Sequence, residues 1–510
     1  MWNTADRAAN RDRIALVEDA TGRTYTYAAL RRAIDQTALW LSRRGLRPGD
    51  AVALAAGNSY EMIAAYHGIL AAGGLVLSLD PLGTPDEWSR ALRTAGPRSA
   101  ILAKDVWQKL RGLHAAAHLT AVMTIDAESA EDDRVDASVT RWSDILVDAS
   151  PPIRWQARSW DQPALAISSS GTEGLPKQVL LTHSNLVVNL AQINVLHRLQ
   201  ETDVVLGMTP FRHIYGMQMA MNPTLRAGGT LVTVSTPFSA ADFIRVVEQH
   251  RVTVAYVVPT TIAELFRCAD AAGPALASLR LIFSGGAPLD PVLAEDCAAR
   301  FGVTIAQGYG MTELGCACIT PDGNPGPSGS VGVPLPGCEV RVVDAHTGLE
   351  AAPGSEGEVI VRGPQVSPGY LGDPQATAKL LDKDGWLRTG DLATRHPSGH
   401  LTITGRLKQL IKYKGHQIAP AELEAVLLTH PNVRDAAVVG EPDDVAGELP
   451  KAYVVLRSDV PLESLQSYVA SRVAPYKKIR LIEQMDVIPR SAMGKVLTAE
   501  LAAAAREGEK

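Results

Sequence analysis

Along the first third of the chain, apolar residues switch between two periods. Residues 28–44 (AALRRAIDQTALWLSRR) carry them every three or four positions and predict a helix, and RPGD reads as a turn. AVALAA is a short apolar run that predicts a buried strand, SYEMIAAYHGILAAG predicts a second helix, and LVLSLD a second strand. Strands and helices in this order imply βαβ units and parallel sheets. The alternation continues through DVVLGMTP, TLVTV, TVAYVVP and LRLIFSGG. Each of these ends on a polar or Gly/Pro-rich stretch, as ligand-holding strands of α/β proteins do. From about Val331 the pattern becomes short strands and turns, as in CEVRVVD and GEVIVRG. A basic segment, GRLKQLIKYKGHQ, then leads into a helix, PAELEAVLLTH, and a compact tail ending in AELAAAAREGEK, which reads as a fraying helix. The expected architecture is α/β. Residues 1–407 form a large N-terminal domain of layered α/β sheets plus a short-strand β region, and residues 408–510 form a small α+β C-terminal domain, long enough to fold as a unit.

Composition narrows the function classes. Among 510 residues, Lys plus Arg number 49 and Asp plus Glu 55, a net charge of −6, which argues against a polyanion-binding surface and therefore against nucleic acid as a partner. The start, MWNTADRAANRDR, is charged, and no run approaches the roughly 18 apolar residues that a membrane span needs. A cytoplasmic protein with no membrane partner is expected. Five cysteines without an even, short-spaced framework fit a reducing compartment. The isolated pair Cys316 and Cys318 lacks a second ligand pair and reads as core packing, not as a metal site.

The stretch SSSGTEGLPKQVLLTH, Ser168 to His183, concentrates candidate chemistry. Strand-like ALAIS before it and helix-like SNLVVNLAQINVLHRL after it place Ser168 to Lys177 at an expected strand-to-helix turn, which would offer backbone N–H groups and a helix N-terminus to an anion. Ser169, Ser170 and Thr172 add hydroxyls, Gly171 and Gly174 allow close backbone approach, and Lys177 adds a point charge. A triphosphate fits this chemistry. A flexible Gly/Ser linker fits the loop taken alone, and the spacing is not that of a Walker loop, since Lys177 stands between Pro176 and Gln178.

Further motifs decide between the two readings. QGYGMTE (307–313), GWLRTGD (385–391), GRLKQLIKYKGHQIAPAELE (405–424) and PRSAMGK (489–495) follow the loop, and together they resemble, in order, the motifs of the adenylate-forming superfamily. IKYKGHQIAPAELEAVLLTHP, PFRHIYGM and GEVIVRG are most similar to 4-coumarate–CoA ligases and their luciferase relatives. The resemblance implies two half-reactions: a carboxylate attacks the α-phosphorus of ATP, and a thiol, that of coenzyme A, then displaces AMP. It implies that Lys495 contacts the reacting carboxylate and bridging oxygen, Thr312 the α-phosphate, and Glu313 Mg²⁺. Asp391 would accept hydrogen bonds from the ribose hydroxyls, Arg406 would lie against ribose or phosphates, and Tyr309 would stack on adenine. Lys408 matches the hinge that makes the C-terminal domain mobile, Lys412 and Gln417 match positions facing the active site, and Gly415 a loop lining the pantetheine tunnel. His213 matches a gate beside the acyl pocket. Tyr215, Met219, Phe283, Gly286, Cys316 and Ala317, with Gly308 between them and the nucleotide, would line that pocket, which suits a flat aryl or cinnamate-like acid.

The chain departs from the family pattern at several places. Glu173 and Gln178 replace the second threonine and a glycine of the phosphate loop, and Phe283 stands where plant coumarate ligases tend to carry a basic residue. Arg212 replaces the usual aromatic residue before His213, and its charge is expected to meet an acidic side chain, solvent or an anion. ATP-dependent diazotases are similar to aryl-CoA ligases, and the resemblance therefore implies an alternative that keeps adenylation and changes the nucleophiles, activating nitrite for transfer to an aromatic amine. A non-catalytic nucleotide-binding homologue is the third reading.

Overall fold

The computed structural model describes residues 11–125, 139–147, 159–169, 176–234, 239–268, 274–321, 324, 326–345, 347–414, 416–443, 445–491, 495–497, 500 and 501, with the backbone alone at Lys408 and Gln417. Among them, strands form sheets of nine, eight, four and five members. The first expected elements are all present. Helices span Tyr27–Arg43 and Tyr60–Ala72, and the strands Ala51–Ala55 and Leu75–Ser78 pair in parallel. Ser59 accepts a hydrogen bond from the Met62 N–H at 3.1 Å and so starts the second helix, and Gly73, at φ 84°, stops it. The two helices cross closely at Gly68, where a Cβ would stand 2.5 Å from that of Thr37. Any larger side chain there would push the helices apart.

Both helices are buried in one continuous core that also holds the inner faces of the eight- and nine-stranded sheets. The nine-stranded sheet sets Val204–Gly207, Val254–Val257, Leu281–Ser284 and Thr304–Met311 in parallel. Its carboxyl edge, with that of the eight-stranded sheet at Ser78 and Ser168, delivers the expected site residues to one region, as open α/β sheets do. An antiparallel sheet follows, built from Glu339–Val343, Glu356–Arg362, Leu387–Arg395 and Leu401–Arg406.

The remaining strands, from Ile411–Tyr413 to Leu481–Gln484, form the five-stranded sheet of a smaller C-terminal domain. One of its faces carries Ile411, Ile418, Leu423, Leu427, Val454 and Leu465. Tyr453 and Val455, alternating with Val454 on the same strand, point the other way and pack with Ala437, Ile488 and Leu501. This domain therefore has apolar packing on both faces of its own sheet. The terminal AELAAAAREGEK lies outside the described residues after Leu501.

Candidate active site

The phosphate-loop region differs from the sequence expectation. Lys177 is followed by a strand, Gln178–Thr182, which pairs antiparallel with Pro163–Ser168, and the helix His183–His197 begins only after it. The segment is thus a β-hairpin, not a strand-to-helix turn. The reason lies in QVLLT, an apolar, β-prone run that pairs and buries, and in Thr182, whose hydroxyl caps the Asn185 N–H at 3.1 Å. Ser169 donates its N–H to the Lys177 carbonyl at 2.9 Å, closing the base of the hairpin. Gln178, one of the departures, donates from Nε2 to Ser168 Oγ at 2.7 Å and reinforces the same closure. Ser170, Gly171, Thr172, Glu173 and Gly174 lie outside the described residues.

Five distant residues meet beside this hairpin. Asp391 is buried, with Oδ2 accepting from the Tyr309 hydroxyl at 2.6 Å and Oδ1 2.6 Å from Arg406 Nε. Asp391 and Arg406 face each other in the strand register, so backbone pairing already sets the contact. Tyr309, expected against adenine, thus has its hydroxyl committed to Asp391. Glu313 is buried and accepts from the Tyr370 hydroxyl at 2.8 Å, and burial raises its carboxyl above the ordinary range. The Lys177 ammonium stands 5.1 Å from the centre of the Tyr370 ring, a cation–π distance that ties the hairpin to Glu313. Thr312 is half-buried in the turn before Glu313.

Lys495 arrives from the C-terminal domain. Burial pulls its ammonium below the usual lysine value of 10.5, with Arg406 pushing the same way and Asp391 and Glu313 opposing. Lys495 also adds to the lowering of His213, which burial and then Arg212 pull down to about 4. His213 is therefore a neutral imidazole at pH 7. A cation, two carboxylates, a guanidinium and a neutral histidine, spread from position 213 to position 495, share one neighbourhood.

The segment before His213, the expected gate, is held by bonds from the other sheet. Asn58 donates from Nδ2 to the carbonyls of Gly207 (3.0 Å) and Thr209 (2.9 Å), and its Oδ1 accepts from the Phe211 N–H at 2.8 Å. Arg212 is not left unpaired: its Nε lies 2.8 Å from Asp80 Oδ1, an ion pair without hydrogen-bond alignment. Ser78 Oγ donates to the Arg212 carbonyl at 3.2 Å. The acid side chain is the partner the sequence left open.

The expected acyl-pocket residues cluster at the same carboxyl edge. Tyr215 lies against Gly285, where a Cβ would stand 2.7 Å from its ring, and its hydroxyl reaches the carbonyls of Val257 (2.9 Å) and Phe283 (3.0 Å). Phe283 is 1% exposed, edge-on to His197 at 4.7 Å and to Tyr256 at 5.8 Å, with its ring tip over Gly308. Met219 is buried in the π-helical segment Gly216–Met221, and Gly286 adopts φ 87°. Cys316 and Ala317 are buried in the strand Gly315–Ile319, where Asn189 brackets Cys316 by accepting from its N–H (3.1 Å) and donating to its carbonyl (2.8 Å). Asn58, Asp80, Asn189 and Tyr370 were not singled out from sequence.

In the C-terminal domain, Lys408 lies in the 3₁₀ turn Leu407–Gln409 and Gln417 pairs with Lys412 across two short strands. The Lys412 side chain is exposed, and its N–H donates to Glu448 Oε2 at 2.7 Å. The domain thus presents Lys495, not Lys412, to the buried carboxylates. Gly415 lies outside the described residues. Among the described residues no group of three or more His, Cys, Asp and Glu is arranged to hold a metal ion, and no helix is long and apolar enough to cross a membrane.

Comparison with known proteins agrees with this fold. The profile of the AMP-binding enzyme family matches residues 3–371, and that of the AMP-binding enzyme C-terminal domain matches residues 422–495. The chain is 36% identical to 4-coumarate–CoA ligase 2 of Oryza sativa subsp. japonica, over 96% of this chain and 90% of that protein. It superposes on ATP-bound MatB from Rhodopseudomonas palustris with a TM-score of 0.88 at 28% identity, covering 99% and 98% of the two chains, and on apo MatB with a TM-score of 0.79. A benzoate CoA ligase from Burkholderia xenovorans LB400 superposes at 0.86 with 26% identity, covering 97% of each chain. The chain belongs to the AMP-binding enzyme family and is an enzyme of its AMP-forming acid–CoA ligase type.

Proposed function

We propose that this enzyme activates an aryl or cinnamate-like carboxylic acid as its acyl-adenylate and passes the acyl group to the thiol of coenzyme A. The observation that carries the reading is the placement of half-buried Lys495, from the far end of the chain, within electrostatic reach of Glu313, Asp391 and Arg406. In the first step a carboxylate oxygen bonds to the α-phosphorus of ATP and pyrophosphate leaves. Two anions approach each other, so a fixed ammonium at the point of attack stabilises the transition state more than the ground state. Asp391 accepts the ribose hydroxyls and Arg406 steadies the same carboxylate. The aryl ring enters between Tyr215, Met219, Phe283 and Cys316, and the Tyr215 hydroxyl, already bonded to carbonyls, leaves this wall apolar.

Glu313 suits magnesium as a hard carboxylate ligand, because burial makes its charge costly and one oxygen is already oriented by Tyr370. When bound, the ion would neutralise phosphate charge. In the second step the thiol sulfur attacks the acyl carbon and AMP departs. We place the hinge for this step, and the domain boundary, at Lys408, just before the start of the small domain's own core at Ile411. Neutral His213 is suited to gating and hydrogen bonding near the thiol's route.

The nitrite-activating alternative would use Arg212 as an anion ligand, and the Asp80 carboxylate 2.8 Å from its Nε weighs against that role. The test is a pyrophosphate-release screen over aryl, acyl and amino acids, with and without coenzyme A, and with nitrite plus aromatic amines. Turnover is expected with an aryl or cinnamate-like acid and coenzyme A. Turnover confined to nitrite and amines, or to aliphatic acids, would overturn the proposal.

A further inference from the structure

Lys495 needs more than proximity to act, because its backbone must hold the long side chain at one depth. Ser491 donates its N–H to the Lys495 carbonyl at 2.8 Å and accepts the Lys495 N–H on Oγ at 3.2 Å. Arg490 bridges to Val496, and Leu497 donates to the Pro489 carbonyl at 2.9 Å. The residue beside Ser491, Arg490, reaches the edge of the domain's sheet. Its Nη2 donates to Asp435 Oδ1 at 2.8 Å and its Nε to Oδ2 at 3.3 Å, a two-pronged contact. Asp435 is fixed in turn, accepting the Ala436 N–H at 2.9 Å at the point where its strand shifts register against Gly447–Leu456.

The partners are 25% and 32% exposed, so the pair contributes little to folding, yet a two-pronged contact sets a direction. We propose that Asp435 and Arg490 are positioning residues for the first half-reaction, holding the backbone around Lys495 so that its ammonium reaches Glu313 and Asp391. The inference rests on the role given above to Lys495. Glu424, which accepts the Val438 N–H at 2.9 Å, also lies within electrostatic reach of Arg490, and burial raises its pKa.

The test uses the full-length enzyme with Asp435→Asn, Arg490→Met and the conservative Asp435→Glu, each alone and Asp435→Asn also combined with Lys495→Ala. Pyrophosphate release and thioester formation from a supplied acyl-adenylate are measured separately. Asp435→Asn and Arg490→Met are expected to slow pyrophosphate release about tenfold or more, since displacement of a catalytic group by an ångström is that costly. Thioester formation should stay within about twofold, Asp435→Glu should recover part of the loss, and Asp435→Asn should add nothing once Lys495 is alanine. Equal loss in both half-reactions, no loss, or an additive effect in the Lys495→Ala background would overturn the inference. If Lys495→Ala itself leaves pyrophosphate release intact, the role of the lysine fails first and the positioning inference falls with it.

Discussion

Gly308→Ala asks whether the pocket floor is as tightly closed as its geometry indicates. A Cβ at 308 would stand 2.4 Å from Phe283 Cζ and 2.9 Å from the Cys318 carbonyl oxygen. Carbon atoms rest about 3.5–4.0 Å apart, so the ring must retreat by about 1 Å. It has little room, because His197 and Tyr256 stand edge-on to the ring and the Phe283 carbonyl is held by the Tyr215 hydroxyl. Overpacking of this kind costs about 1–3 kcal/mol. Phe283→Leu withdraws the ring tip and leaves the carbonyl contact, so the double variant should regain about 1 kcal/mol relative to the sum of the singles. Urea unfolding of the four proteins gives the stabilities, and KM for the acid reports the pocket. A Gly308→Ala protein as stable as the parent, or single effects that simply add, would refute the contact as drawn.

Three other outcomes are expected. Arg212→Phe should leave turnover of aryl acids intact or improved, because the Asp80 it abandons is 42% exposed, whereas Asp80→Ala should lower the unfolding midpoint more, since it strands a guanidinium that is 13% exposed. Equal losses would show that burial does not govern the pair. Lys408→Pro should preserve pyrophosphate release and slow thioester formation, because fixing φ restrains the turn Leu407–Gln409; unimpaired overall turnover would mean that rotation there is not needed. Lys495 must be protonated to act, and burial lowers its pKa, so pyrophosphate release should fall at a pH below that of an exposed lysine. A pH–rate profile with the same alkaline limb in both half-reactions would contradict this.

The helices were legible from apolar content and end signals, as in Tyr60–Ala72, buried along almost its whole length between its Ser59 cap and Gly73 stop. The phosphate hairpin was misread because QVLLT is short and abuts a helix, so the apolar run merged with the helical pattern. The Thr182 capping signal, with Asn185 three residues on, was available in the sequence and marks the true helix start. Glu313, Asp391, Arg406 and Lys495 were legible from motif order and meet in space. Asp80, Asn58 and Asn189 carried no local signal. Asp80 contacts a residue 132 positions away, and Asn58 and Asn189 act on backbone groups of strands and turns whose placement only the fold determines. Tyr370, in a Gly-Tyr step that pairs with Val179, belongs with them.

The burial of Cys316 bears on chemical self-protection. Its Sγ sits 3.4 Å from the Cys318 carbonyl oxygen and 3.7 Å from that of Tyr309, and desolvation drives its pKa far above the ordinary thiol range. On the proposed placement of the acyl pocket, the mixed anhydride would form next to this cysteine and could acylate it. Only the thiolate is a competent nucleophile, so a sulfur kept protonated by its surroundings reacts sluggishly even with an activated acyl group alongside. The wall proposed to hold the substrate would thereby also leave the acyl group for the thiol that enters from outside.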